Sequence, residues 1–316
     1  MEKQPISGGK AFYSAEPANR KSVLFRQVSY SLAILLAVCS GFVLSSSAGQ
    51  NTPAVGSEAG VPSDSFEHGA WEALLQAHVS ENGWVDYDAL AKDRAALDAY
   101  LEQLSKAKVQ SWSDRKQQLA FWINTYNAFA VASALDHVNS KAVGVKEVPG
   151  FFDLQKHPVA GVQLTLDEIE RRGRDLKDPR MHFAIVCAST SCPRLQRFAY
   201  RGRRLDEQLD RAARDFVADT QRGFRFDAKK NRVYLSSIFK WYAGDFTGSA
   251  GAASEWFARA NAVLSGQKVV DFAMRYTPAD ITQQIEQKRP KVSFMDYDWS
   301  WNSRKNHPES VKEIAK

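Results

Sequence analysis

Asp178-Pro-Arg-Met-His-Phe-Ala-Ile-Val-Cys-Ala-Ser-Thr-Ser-Cys-Pro-Arg-Leu-Gln-Arg197 holds two of the three cysteines of the chain, Cys187 and Cys192, close to His182 and a run of hydroxyl residues. Phe183 to Cys187 is a short apolar run opened by Asp178-Pro179, and it reads as a buried strand of about five residues. Chemistry then belongs to the loop that follows, Ala188 to Ser191, which carries Ser189 and Ser191. Pro193 suits the first position of a helix, where its missing N–H would be unpaired anyway, so Cys192 is expected at a helix N-cap. The positive helix end, with Arg194 and Arg197 in the next turn, would favour its thiolate. Cys187 has no such help. A His182–Cys187 dyad fails on geometry, because the intervening extended chain spans about 16 Å and the two side chains face opposite ways.

Three readings of the cysteines stay open. A Cys187–Cys192 disulfide would staple the loop in an oxidising compartment. A reactive thiol would make Cys192, or less readily Cys187, a nucleophile. Metal ligation by His182, Cys187 and Cys192 supplies three ligands at most, at a spacing unlike the common zinc sites, so no metal is assigned.

Working outward, residues 114 to 135 carry Leu119, Trp122, Ile123, Tyr126 and Phe129 around so much of a helix that it should be central, with Ser113 as its cap. Asn124 and Asn127 interrupt that apolar surface. Buried amides need partners, so they either tie down a neighbouring loop or, with Tyr126, line a site. Thr165-Leu-Asp-Glu168 is a capping box, with Leu164 and Ile169 at the staple positions. Periodicity predicts helices over residues 71–78, 90–104, 205–217, 254–264 and 269–275. A hairpin is expected from 224–226 and 233–235, and a closing strand within 292–299. Ser236 to Phe246 reads as a short capped helix bearing Trp241 and Tyr242, candidate binding aromatics, and Asp245. His182 and Asp245 are the acid–base candidates by residue type.

The whole chain has 316 residues, 44% hydrophobic and 11% aromatic, which is ample for a packed core. Five of its 42 basic and two of its 36 acidic residues fall in positions 1–48, so the remainder is nearly balanced and nucleic-acid binding is not indicated. Those first residues place Arg20, Lys21 and Arg26 before an apolar stretch, Val28 to Leu44, that ends in Ser45-Ser-Ser-Ala48. This is the pattern of an export signal. An uncleaved anchor facing the periplasm is the alternative, and membrane contact is expected only there. Residues 49–65 read as a flexible linker, 66–302 as one globular domain, and 303–316 as a charged tail. There is no Gly-rich phosphate loop, His-Glu-x-x-His or Gly-x-Ser-x-Gly, so no cofactor is assigned.

Phe121-Trp-Ile-Asn-Thr-Tyr-Asn-Ala128, Leu164-Thr-Leu-Asp-Glu-Ile-Glu170, the cysteine stretch itself and Tyr297-Asp-Trp-Ser-Trp-Asn302 together resemble the family called domain of unknown function 547, most closely over residues 110–245. The name implies no activity. Where members of that family carry Ile-Glu-His after the capping box, this chain has Ile169-Glu170-Arg171, so a mechanism using that histidine is not expected here. A core helix followed by a segment bearing His182 also resembles papain-like and transglutaminase-like folds, with Asn124 where their nucleophile would stand.

The expected architecture is α+β, helices packed on a small mixed or antiparallel sheet. The expected site joins the cysteine loop (Cys187, Ser189, Ser191, Cys192, Arg194) to the helix bearing Asn124, Tyr126 and Asn127. Its first functional reading is a thiol-dependent acyl or peptide hydrolase or transferase of the cell envelope, with Asn124 or loop N–H groups holding the oxyanion. Two alternatives are a disulfide-stapled module binding peptide or glycan, and a thiol–disulfide exchange protein.

Overall fold

The computed structural model describes residues 66–248 and 262–307. The expected export signal and linker lie outside them, as do most of the helix expected at 254–264 and the end of the tail. No helix of the described residues is long and apolar enough to cross a membrane.

The organising element is the helix Arg115–His137, whose residues from Leu119 to Ala134 are all buried. Asp114, not Ser113, caps it: the carboxylate accepts from the N–H groups of Lys116 and Gln117. A helix apolar on all sides must be wrapped on all sides. In chain order, α1 (Gly69–His78), α2 (Tyr87–Lys92), α3 (Arg94–Ser105), this central α4, and α5 (Leu166–Arg174) build one core with the cysteine loop. The single helix expected over 90–104 is two, broken at Asp93, whose carboxylate lies 2.9 Å from His78 Nε2.

A short antiparallel pair, β1 (His157–Val159) and β2 (Val162–Leu164), leads into α5, where the Thr165–Glu168 capping box forms as read. A second core gathers α6 (Leu205–Ala218), β3 (Phe224–Asp227), β4 (Arg232–Leu235), α7 (Ser237–Trp241), α8 (Ala243–Thr247), α9 (Ala262–Met274) and α10 (Ala279–Lys288). β3 and β4 form the expected hairpin, and β5 (Lys291–Phe294) adds to β4 in parallel. The closing strand therefore ends at Phe294. With two small sheets among many helices, the fold is α+β.

Phe183 belongs to the second core, whereas Met181 and Ala184 belong to the first, so the cysteine stretch crosses from one core to the other. Residues 183–187 are not a sheet strand, which corrects the expectation. Pro179–Phe183 is a 3-10 turn, and the extended backbone beyond it lies against α4 rather than against another strand. The Asn127 amide takes the place of a neighbouring strand, donating to the Ala184 carbonyl at 2.9 Å and accepting from Val186 N–H at 2.8 Å.

No helix follows Cys192 either. The chain there is pressed against the Asn82-Gly83 turn: Gly83 has φ +82°, and a Cβ on it would stand 2.7 Å from Arg194 Cα. Ser191 is held by the C-terminal segment, accepting from Asp298 N–H on Oγ at 2.9 Å and donating its own N–H to the Asp298 carbonyl. The segment after Cys192 is thus fixed by tertiary contacts before it can coil.

Candidate functional site

Beyond β5 the chain runs extended across the cysteine loop. Thr190 N–H donates to Ser300 O, Asn302 N–H donates to Ala188 O, and Ser189 pairs with Trp301 as an isolated bridge. The loop turns at Ala188, a fully buried non-glycine residue at φ 61°, a strained conformation that its surroundings must hold. This turn brings the Cys187 N–H back onto Cys192 Sγ at 2.9 Å.

Cys192 Sγ collects further donors. The Ser189 hydroxyl reaches it at 3.4 Å and the Tyr297 hydroxyl at 3.2 Å. Burial alone would oppose ionisation, but the convergent donors outweigh it and bring the Cys192 pKa down to about 6. Cys187 moves the other way. Burial and the neighbouring Cys192 thiolate push it well above the ordinary thiol value. Its sulfur lies 3.1 Å from Ser189 Oγ and 3.5 Å from Tyr297 Oη, so both thiols share the same two hydroxyl groups.

The expected order of acidity is therefore present, with a different cause. Helix-end and arginine charges play no part: Arg194 faces Asp219 at 3.8 Å and Arg197 pairs with Glu81. Both cysteines are free, and no pair among the described residues stands at disulfide distance, so the staple is not formed. Nor do His182, Cys187 and Cys192 converge. Among the described residues no group of three His, Cys, Asp or Glu side chains is placed to hold a metal ion.

Asn124 is also reassigned. Its amide donates to Tyr200 O at 2.8 Å and accepts from Tyr200 N–H at 2.9 Å, and the side chain is fully buried. One side-chain N–H and the carbonyl oxygen are both engaged by the backbone of one residue, so Asn124 clamps the Tyr200 segment to α4. Asn127 is likewise a backbone clamp. Ser191 is engaged by Asp298, and so holds the loop rather than a substrate.

His182 and Asp245, the two acid–base candidates by type, pair with each other, Nε2 and Oδ2 standing 2.8 Å apart. Arg174 grips the same carboxylate at 2.7 and 3.2 Å, and these two partners hold Asp245 below the usual carboxylate range despite its burial. Burial pushes the His182 pKa down, and the ring stacks on Tyr242 with centroids 4.0 Å apart. Arg174 lies over that Tyr242 ring as well, 5.2 Å from its centroid.

Tyr242 connects this group to the thiols. Burial, and the charges of Glu170 and Cys187 after it, raise its pKa well above the ordinary tyrosine value. Tyr126, buried on α4, is raised by burial and feels Glu170, Cys187, Tyr242 and Cys192 together. Glu170 itself, driven mainly by burial, is raised to about 7.

On the outer side Tyr297 packs on Trp241 and Trp299, with centroids 4.8 and 4.6 Å away, and Lys146 lies 4.5 Å over Trp299. Trp241, at 47% exposure, is the solvent-facing edge of this shelf.

Sequence reasoning missed Glu170, Arg174 and Tyr297 as site residues. The signal for Glu170 was present: it falls on the same stripe of α5 as the buried Leu166, Ile169 and Gly173, where a carboxylate has no business in a purely structural helix. Tyr297 has no such signal, since only the crossing of the C-terminal segment brings it to the cysteines.

Residues 109–217 match the family described as "Protein of unknown function, DUF547", a span that holds three of the four motifs and leaves out Tyr297–Asn302. That span includes both cysteines, Glu170, Arg174 and His182, while Tyr242, Asp245 and Tyr297 come from the chain beyond it. No curated protein and no solved structure matches the chain.

Proposed function

We propose that this DUF547 protein is a thiol-dependent acyl or peptide hydrolase or transferase of the cell envelope, with Cys192 as its nucleophile. One observation carries the reading: three donors, the Cys187 N–H and the Ser189 and Tyr297 hydroxyls, converge on Cys192 Sγ, so that a thiolate can stand there near neutral pH without a histidine. A buried structural cysteine needs no such set. The export pattern in residues 1–48 supports the envelope assignment.

In the reaction the Cys192 thiolate attacks a carbonyl carbon, forming a thioester and releasing an amine or alcohol that takes up a proton. Water or an acceptor then cleaves the thioester. Cys192 is only 3% exposed, so the carbonyl reaches it past Cys187 and the Tyr297 ring. The shelf formed by Trp241, Tyr297 and Trp299 lies on that side and supplies apolar area for the substrate.

p-Nitrophenyl acetate provides the test. Acid-quenched protein should carry an acetyl group on Cys192 by peptide mass spectrometry, retained in Cys187→Ser and absent in Cys192→Ser. Acetylation that survives in Cys192→Ser would refute the assignment.

A second reading draws on the two thiols sharing the Ser189 and Tyr297 hydroxyls, with Cys187 N–H on Cys192 Sγ at 2.9 Å, an arrangement that also suits dithiol exchange, with Cys187 resolving a mixed disulfide on Cys192. Under that reading oxidised glutathione should leave a stable glutathione adduct on Cys192 in Cys187→Ser. The p-nitrophenyl ester should then leave no acetyl group.

A further inference from the structure

Attack by the Cys192 thiolate turns a carbonyl oxygen into an oxyanion, and the groups expected to hold it are engaged elsewhere. Asn124 clamps Tyr200, and in the loop the N–H groups of Thr190, Ser191 and Cys192 donate to Ser300 O, Asp298 O and Ser189 O. Building on the acyl-transfer reading above, we propose that the Tyr297 hydroxyl is the oxyanion donor of this site: it holds the Cys192 sulfur before attack and passes its hydrogen bond to the carbonyl oxygen as the sulfur loses its charge.

Three contacts place that hydroxyl. Tyr297 Oη donates to Cys192 Sγ at 3.2 Å and lies 3.5 Å from Cys187 Sγ. The Ser189 hydroxyl donates to Oη at 3.2 Å, which polarises the tyrosine O–H toward its own acceptor. The oxyanion of a tetrahedral adduct sits two bonds from Sγ, so a donor already at the sulfur meets it by a turn of the O–H bond. The other donors are less free to follow the charge. The Cys187 N–H is fixed by its backbone, and Ser189, only 1% exposed, stands closer to Tyr297 Oη than to Cys192 Sγ.

The tyrosine is held before any substrate arrives. Its neighbour Asp298 is tied to Ser191 in both directions, Asp298 N–H donating to Ser191 Oγ at 2.9 Å and Ser191 N–H to Asp298 O at 3.1 Å. Ser191 in turn adjoins Cys192. The ring packs on Trp241 and Trp299, with centroids 4.8 and 4.6 Å away, on the side from which the carbonyl enters. A donor fixed in this way needs no reorganisation when charge develops, and that is the condition for strong oxyanion stabilisation.

The electron count closes. The thiolate pair forms the S–C bond, and the carbonyl π pair moves to oxygen, where the Tyr297 O–H donates without giving up its proton. Collapse returns that pair to the carbonyl and breaks the C–N or C–O bond, whose electrons leave with the departing group. Attack of water on the thioester raises the same oxyanion again, and Cys192 then leaves as thiolate and accepts once more from Tyr297.

Two reagents on Tyr297→Phe test the role at pH 9, where Cys192 is ionised with or without this donor. Iodoacetamide alkylates a thiolate without forming an oxyanion, and it should label Cys192 within a few-fold of the wild-type rate. p-Nitrophenyl acetate should acetylate Cys192 on the order of 10²–10³ times more slowly than in the wild type. Both rates unchanged, or both slowed alike, would confine Tyr297 to the thiolate and overturn the proposal alone. If the variant fails to fold, the wild-type protein is compared on p-nitrophenyl thionoacetate, whose sulfur accepts hydrogen bonds poorly. Relative to free glutathione, Cys192 should then favour the oxygen ester by about tenfold or more, and an equal preference would overturn the role. No acetyl group on a wild-type Cys192 that iodoacetamide does alkylate would overturn the acyl-transfer reading and this inference with it.

Discussion

Two buried polar regions of this molecule, one on either side of the cysteine stretch, put their hydrogen bonds to different uses. On α4, Asn124 and Asn127 each meet the backbone in matched pairs, one donor to one carbonyl and one acceptor to one N–H. At the thiols the donors from Cys187, Ser189 and Tyr297 converge on a single sulfur, and on α5 Glu170 has no ion pair among the described residues. Matched pairing fixes the chain in place. Convergence on one acceptor stabilises a charge, and a carboxyl without an ion pair stays near its titration point.

The comparison breaks most visibly if the asparagines prove dispensable. Asn124→Ala leaves the Tyr200 N–H and carbonyl buried and unpaired, and should cost about 2–4 kcal/mol in urea unfolding. The cost should be the same at pH 6 and pH 9, because neither partner titrates. A loss under about 0.5 kcal/mol, the range of ordinary surface substitutions, would mean that Asn124 is not a clamp.

Glu170 should show the opposite pH behaviour. Its pKa is raised in the folded state to about 7, so the native protein binds that proton more tightly than the unfolded chain. The resulting stability is fully present below the unfolded glutamate value, near 4.3, and is lost as pH rises through about 7. Glu170→Gln should therefore match the wild type in acid and exceed it by up to about 3 kcal/mol at pH 8 to 9. A difference that does not change with pH would place the carboxyl in water.

How far these regions could be read in advance follows from what each depends on. The central helix, the capping box at Thr165, the hairpin at 224–235 and the helix at 205–217 are local patterns, and they appear where periodicity and cap chemistry put them. The asparagines were visible as polar breaks in an apolar helix, but the choice between clamp and site depended on Tyr200 and Ala184, distant in sequence. Phe183 to Val186 has the composition of a strand but found Asn127 instead of a neighbouring strand, an outcome that composition cannot reveal. Cys192 was singled out for a helix end that does not exist; Tyr297, 105 residues later, was the donor to find.

A smaller effect sharpens the convergence itself. Tyr297→Phe removes one of the donors to Cys192 Sγ and should raise the thiolate pKa by about one unit, the equivalent of about 1.4 kcal/mol. Alkylation rates measured against pH would show the displacement. Ser191→Ala, on a hydroxyl that accepts only from the Asp298 N–H, should leave the thiolate pKa where it is.

The central claim is that one loop holds a thiolate and a thiol side by side, and differential alkylation of the reduced protein across pH 4 to 10 tests it most directly. With iodoacetamide and peptide mass spectrometry, Cys192 labelling should rise with a midpoint near pH 6, while Cys187 stays protected until well above the ordinary thiol range. Coincident midpoints near pH 8 to 9, or Cys187 titrating first, would contradict it.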